Sequence, residues 1–291
     1  EQIQSFAGIF SDWYGNTAKQ FNPEQWDPLN AGEPILASNL STTGIRDPYV
    51  TYNPETETYY IIATDLRVFG GDNAGWGGWS NNYSTKTNVW SSKDLVNWED
   101  LSQFDVALDA TGTKDPTAPN MGMMWAPEAT FVDDYYGPGE GAFVMYWSSN
   151  VGGTNRVMWG ATTDFTQDTW EFGGTFIGTG STIDTTILQE DGITYRVTKD
   201  LSQGKGVYME HTVAEKWWLP EATWTLDQTN IGSNYSSNNE GPALFKAHNE
   251  DRWYLYVDVI PTGYRPMTST DLTVANPWTP LTSPNFYMAP A

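Results

Sequence analysis

Hydrophobic positions along this chain fall into short continuous runs that end in polar residues. Tyr59-Tyr60-Ile61-Ile62-Ala63-Thr64-Asp65, Phe143-Val144-Met145-Tyr146-Trp147-Ser148-Ser149, Ile193-Thr194-Tyr195-Arg196-Val197-Thr198-Lys199-Asp200 and Trp253-Tyr254-Leu255-Tyr256-Val257-Asp258 are such runs. Aromatic and β-branched runs of this length, punctuated by Gly, Pro, Asn and Asp, predict strands rather than helices. Each is followed by another: Asn88 to Trp98, Val157 to Phe165, Val207 to Glu210 and Met267 to Leu272.

An acidic residue precedes each pair of runs. Asp47 lies in Gly-Ile-Arg-Asp-Pro-Tyr-Val, Glu128 in Trp-Ala-Pro-Glu-Ala-Thr-Phe, Asp184 in Thr-Ile-Asp-Thr-Thr-Ile-Leu and Glu240 in Asn-Glu-Gly-Pro-Ala-Leu-Phe. The repeating unit is therefore an acidic residue, three strands, a turn and a last strand with a Trp. Three units carry a Ser/Thr-x-Asp-Leu/Phe turn, at Asp94, Asp164 and Asp271, and the late Trp is Trp98, Trp170, Trp224 or Trp278. Four strands per unit at this period predict propeller blades. The turn Asp is expected to bond its own turn backbone, and the Trp to pack between blades.

Four full units are visible. Strand-like stretches at Ser5–Phe10 and Glu33–Ala37 predict that the segment before Asp47 contributes to a fifth blade, and Phe286-Tyr287-Met288 is placed to close the ring. The expectation is an all-β, five-bladed propeller, one domain over residues 1–291. First strands of propeller blades line the central channel. The four acids are thus expected at one axial pocket, where paired carboxylates are the usual equipment for cleaving a glycosidic bond.

Charge narrows the partners. The 36 acidic and 14 basic residues give a net charge of −22. That field repels phosphate backbones and anionic lipid, so nucleic acid and membrane are excluded as expected partners, and a neutral carbohydrate fits. With no Cys in the sequence, thiolate nucleophiles and zinc–thiolate sites are excluded. No signal peptide or apolar span is visible, and the chain opens on Glu1 rather than Met, as a processed or trimmed sequence would.

Gly44-Ile45-Arg46-Asp47-Pro48, Trp125-Ala126-Pro127-Glu128, Ile183-Asp184 and Glu240-Gly241-Pro242, in that order and at blade spacing, resemble glycoside hydrolase family 43. The resemblance runs from about Asp47 to Trp278 and implies a five-bladed propeller that hydrolyses glycosides with inversion. By position it implies Asp47 as general base, Glu240 as general acid and Asp184 as the aspartate that tunes the acid. Glu128 matches a substrate-binding or pocket-supporting position, and Trp125, in the same Trp-Ala-Pro-Glu motif, is expected to bind substrate. No cofactor is implied for the chemistry, and at most a structural calcium in the central channel. The histidine-bearing segment that often follows the fourth blade is not evident.

Inversion needs a protonated carboxyl on the leaving oxygen and an ionised one activating water, about 6.5–9.5 Å apart. A nearby ionised Asp184 would raise Glu240 by like-charge repulsion. Trp76 and Trp79, on a long Gly/Asn-rich loop, are expected as a sugar-stacking platform, and Arg265, beyond the fourth unit's second strand, as a partner of sugar hydroxyls. The resulting expectation is a secreted or cell-surface bacterial monomer. It releases terminal L-arabinofuranosyl residues from plant cell-wall polysaccharides or oligosaccharides. A β-xylosidase or galactan-active enzyme is the alternative within the class, and a non-catalytic carbohydrate-binding propeller the alternative outside it.

Overall fold

The computed structural model describes residues 2–3, 34–70, 73–74, 83–202, 204–247, 251–274 and 277–281. Ser5–Phe10, Phe286–Met288, Trp76 and Trp79 lie outside the described residues. Among the described residues the chain is all β apart from a short 3-10 turn at Gln167–Thr169, and no helix is long and apolar enough to cross a membrane. Two compact units are formed.

The first unit comprises Glu1–Ile3, Leu36–Asp184 and Trp218–Pro220. In it β1 (Gln2–Ile3) pairs antiparallel with β2 (Leu36–Ala37). A first four-stranded sheet follows: β3 (Arg46–Asn53), β4 (Thr58–Thr64), β7 (Lys86–Ser92) and β8 (Ser102–Asp105), with the small hairpin β5 (Phe69–Gly70) and β6 (Asn73–Ala74) inserted after β4. A second sheet holds β9 (Trp125–Gly137), β10 (Glu140–Val151), β11 (Thr154–Thr162) and β12 (Glu171–Ile177). Both are antiparallel meanders, each strand bonded to its neighbours in sequence.

The long hydrophobic run of β10 has a physical reason. From Gly141 to Ser149 every residue is buried, so both faces of the strand are covered and alternation is lost. β3 packs on β9. One core, containing Tyr60, Phe104, Phe143, Trp147, Phe165 and Trp170, draws on both sheets. Trp170 joins them most directly. Its indole Nε1 donates to Val106 O at 3.3 Å, and its ring lies 5.0 Å from that of Phe104 and 5.6 Å from that of Trp147.

The second unit comprises Gln4–Ile35, Thr185–Trp217 and Glu221–Ala291. Its sheets are β13 (Thr182–Glu190, in this unit from Thr185), β14 (Ile193–Asp200), β15 (Val207–Thr212) and β16 (Thr225–Gln228), then β17 (Asn239–Lys246), β18 (Trp253–Val259), β19 (Gly263–Ser269) and β20 (Thr279–Pro280). Their shared core includes Tyr195, Val197, Met209, Leu244, Leu255, Val257 and Met267.

The repeat read from the sequence is thus present as four sheets of four strands, with strand order following the chain. The Trp is displaced slightly from expectation. Trp170, Trp224 and Trp278 immediately precede the last strand of their sheets, and Trp98 precedes it by three intervening residues. The turn aspartates act as expected. Asp94 accepts the Val96 and Asn97 N–H groups at 2.9 and 2.7 Å, and these bonds hold its carboxyl below the usual range. Asp164 and Asp271 hold the N–H and hydroxyl of Thr166 and Thr273.

Because Trp170 is buried among aromatic rings of two sheets, Trp170→Ala is expected to cost about 3–5 kcal/mol of unfolding free energy. Urea unfolding measures it. A loss below about 1 kcal/mol, within the ordinary range of substitutions, would remove the ring from its role as anchor between the sheets.

Candidate functional site

Three of the four acids are carried by a bulge of one design. Arg46 pairs with Thr64 and Tyr49 with Ile62, so Asp47 and Pro48 stand against Ala63 alone. Trp125 pairs with Ser148 and Glu128 with Tyr146, leaving Ala126 and Pro127 against Trp147. Glu240 pairs with Asp258 and Ala243 with Tyr256, leaving Gly241 and Pro242 against Val257. Proline suits this place because it has no N–H to give to the ladder, and bulges on first, edge strands ask for none.

The residue before each proline is left-handed: Asp47 at φ 48°, Ala126 at φ 45° and Gly241 at φ 54°. Asp184 at the start of β13 has φ 50°. For Ala this conformation costs about 1–2 kcal/mol, and Asp tolerates it better. At Gly241 it is joined by a second demand, since an added Cβ would lie 2.9 Å from the Tyr264 hydroxyl.

The acids occupy three places on this frame rather than one repeated place. Asp47 and Asp184 are the left-handed residues themselves, Glu240 stands one residue before, and Glu128 two after. A bulge re-aims side chains, and these offsets point different carboxyls from a common backbone feature.

What holds two of the left-handed residues is a buried hydroxyl on the second strand of the preceding sheet. The Ala126 N–H donates to Thr64 Oγ1 at 2.8 Å, and the Asp184 N–H to Ser148 Oγ at 2.9 Å. Thr64 and Ser148 are buried and hold matching places, each opposite the residue before a bulge. The Thr64 hydroxyl in turn donates to Asp47 Oδ2 at 2.8 Å. Asp47 is otherwise exposed to solvent.

The approach to Asp47 is strapped down. Buried Asp65 accepts the Thr42 hydroxyl at 2.6 Å and the Thr42 N–H at 3.2 Å. Burial raises its carboxyl, and the Thr42 bonds act against that rise. Gly44 passes so close to the β4 end that an added Cβ would sit 2.1 Å from Leu66 O. Asn88 Nδ2 closes the strap, donating to Gly44 O at 3.1 Å and Thr64 O at 3.3 Å.

Glu128 faces tyrosines. The Tyr146 hydroxyl donates to Glu128 Oε2 at 3.4 Å. Burial, then the Glu128 charge, raises both Tyr146 and Tyr49 far above the ordinary phenol range, so both remain donors. Trp125, three residues before Glu128, is half-buried opposite Ser148.

In the second unit Glu240 is half-buried opposite Asp258, which is itself opposite Tyr264. Arg265 pairs with Val257 and so lies on the other face of that sheet from Glu240. Its charge acts on Tyr235, whose phenol is raised mainly by burial and is pulled down by Arg265. Among the described residues, no group of three or more His, Cys, Asp or Glu comes together as a metal site. His211 is engaged by Asp227, Nδ1 to Oδ1, at 2.7 Å.

Thr64, Ser148 and Asp258 are the site residues that sequence reasoning missed. The signal was the first polar residue closing each second-strand run.

Removing the Thr64 hydroxyl leaves the half-buried Ala126 N–H without its acceptor. Thr64→Val is expected to cost about 1–3 kcal/mol in urea unfolding, and Thr64→Ser to retain most of that stability. Equal losses in both variants would show that the methyl group, not the hydroxyl, carries the effect.

Comparisons with known proteins agree on the family. Residues 11–291 match the model for the family-43-related glycosyl hydrolases, described as "Probable glycosyl hydrolase domain". A relative, an α-L-arabinofuranosidase of Bifidobacterium longum subsp. longum, is 30% identical over 260 residues. That stretch is 76% of this chain and 22% of the relative, so the chain spans about a fifth of that protein. Among solved structures, a thermostable family-43 glycoside hydrolase is similar at a TM-score of 0.54 and 19% identity, over 82% of this chain and 72% of the other. The exo-β-1,3-galactanase of Phanerochaete chrysosporium is similar at 0.53 and 17%, over 86% and 50%. These structural likenesses show the fold, an all-β propeller of the family-43 kind. With its bulged acidic motifs and a family match over nearly its whole length, the chain belongs to the glycosyl hydrolase family related to family 43.

Proposed function

We propose that the protein is an inverting exo-glycosidase that releases terminal L-arabinofuranosyl residues from plant cell-wall polysaccharides or oligosaccharides. The observation that carries this reading is the placing of Asp47, Asp184 and Glu240 at or beside left-handed residues near the starts of three first strands. Left-handed strain at non-glycine residues is kept where a side chain must be aimed.

In the proposed reaction Asp47 takes a proton from water as the water oxygen bonds to the anomeric carbon. With Oδ2 engaged by Thr64, the proton goes to Oδ1. Glu240 gives its proton to the glycosidic oxygen as the C–O bond breaks. The products are a sugar of inverted configuration and a free hydroxyl on the remaining chain. Asp184 raises the proton affinity of Glu240 by like-charge repulsion. Glu128, Trp125 and Arg265, with Trp76 and Trp79, are assigned to substrate binding.

The sugar follows the Bifidobacterium longum relative, named an α-L-arabinofuranosidase. A galactan-active enzyme is the second reading, favoured by the likeness to an exo-β-1,3-galactanase. A panel of aryl glycosides separates the two, and release of no sugar at all would favour a binding propeller. The same proposal includes a fifth blade completed by the segment before Asp47, one cooperative domain and a monomer at the cell surface or outside it. A structural calcium in the central channel would appear in metal analysis and as a drop in melting temperature on chelation.

The roles separate by leaving group. Dinitrophenolate leaves without a proton, whereas a sugar alkoxide needs one. Glu240→Gln is expected to lose about 10²–10⁴-fold in kcat/KM on an oligosaccharide and far less on a dinitrophenyl glycoside. Asp47→Asn is expected to lose about equally on both. Rescue of Asp47→Asn alone by the better leaving group would reverse the assignment.

A further inference from the structure

The fourth sheet brings a second carboxylate to Glu240 that the repeat does not explain. Its matching positions in the first two sheets, opposite the residue before the bulge, are Thr64 and Ser148, neutral hydroxyls. Here the position is Asp258. Directly opposed residues of an antiparallel pair share a face, with Cβ atoms about 4.5–5.5 Å apart. Like charges in that arrangement are unfavourable, and a structural role would be better served by Ser or Thr.

Other distances gather the same groups. A Cβ built on Gly241 would lie 3.6 Å from Asp258 Cβ and 2.9 Å from Tyr264 Oη. Asp258 and the Tyr264 hydroxyl therefore both crowd the glycine that follows Glu240. Tyr264 pairs with Asp258, which places Glu240, Asp258 and Tyr264 in one row on one face. Both carboxylates are half-buried, where water screens their interaction less than at the surface.

Several charged groups of the neighbouring strands are bound to one another. On β14 and β15, packed against β17, Arg196 is bound to Glu210 at 2.6 Å. His211 is bound to Asp227 at 2.7 Å, and Asp200 accepts the Ser202 and Lys205 N–H groups. Lys199 is buried on β14, and Tyr208 on β15 lies beneath the Lys205 ammonium at 4.7 Å from its ring. On β13, Glu190 is bound to Lys246 at 2.5 Å. Arg265 is on the opposite face.

We propose that Asp258 is a positioning residue for the proton donor: its fixed negative charge, facing Glu240 across the sheet, keeps Glu240 protonated in the pH range where the donor works. This rests on the reading of Glu240 as the acid. Two carboxyls at this spacing titrate as a pair, and the second proton leaves at a raised pH. Asp258 thereby acts on Glu240 from within its own blade, in addition to the role proposed for Asp184.

The experiment is an NMR titration of the full chain with ¹³C-labelled glutamate, with the Glu240 carboxyl resonance assigned by its loss in Glu240→Gln. Asp258→Asn keeps the shape and removes the charge. The Glu240 midpoint is expected to fall by about one pH unit, and the alkaline limb of kcat/KM on an arabino-oligosaccharide to fall with it. On a dinitrophenyl arabinofuranoside, which needs no proton, that limb should stay in place. Asp258→Ser, which restores the hydroxyl of the other two sheets, is expected to give the same shift and serves if the Asn variant folds poorly. An unmoved Glu240 midpoint in either folded variant overturns the inference. Failure of the acid assignment reads differently: Glu240→Gln would then lack its leaving-group dependence, whatever the titration shows.

Discussion

The N–H of a left-handed residue, received by a hydroxyl buried in the sheet before it, is the interaction on which this site depends. A left-handed residue turns its N–H out of the ladder of its own strand. Buried and unmet, that N–H would cost a desolvation penalty of about 1–3 kcal/mol, on top of the backbone strain. Thr64 and Ser148 supply the acceptor at two successive sheets. Each is itself immobilised inside a strand with little or no exposure. The strained conformation is thus fixed by tertiary structure, not by local preference, and the side chains flanking it are aimed accordingly. Thr64 does this twice over, since the same hydroxyl that receives Ala126 donates to Asp47.

Around this interaction the rest of each sheet behaves as a support. Second strands are buried on both faces and carry the core. The turn aspartates, among the outer strands, bind N–H groups of their own loops and set the turns without drawing on the core. Trp170 fills the space between two sheets and ties one to the other by its indole N–H. Rigidity therefore comes from the middle strands, and the carboxyls sit on the first strands, where the backbone departs from regular pairing.

Much of this was legible in the sequence. Hydrophobic runs such as Phe143 to Ser149 marked the buried strands because burial on both faces removes the alternation. The turn roles of Asp94, Asp164 and Asp271 followed from short-range chemistry that needs no tertiary context. The bulges did not show, because an extra residue in a strand changes register without changing composition. Without register, Asp47, Glu128, Asp184 and Glu240 looked like one repeated place, and the facing of Glu240 by Asp258 was invisible. The motif Trp-Ala-Pro-Glu held the clue in its Ala-Pro, which matches Asp-Pro at 47–48 and Gly-Pro at 241–242. Arg265 was named from its place in a loop, whereas it lies within β19, paired with Val257.

The hydroxyl bonds also bear on how such a chain can change through evolution. At two junctions, the residue that fixes a left-handed position belongs to the sheet before it. A sheet is therefore not the natural module of exchange. Recombination that replaced β9–β12 as a block would keep the strand carrying Ala126 and lose its match to Thr64, and would bring in a foreign partner for Asp184. The segment inherited intact would instead run from the second strand of one sheet through the first strand of the next. New specificities could then accumulate in loops and outer strands while these offset segments pass unchanged from ancestor to descendant.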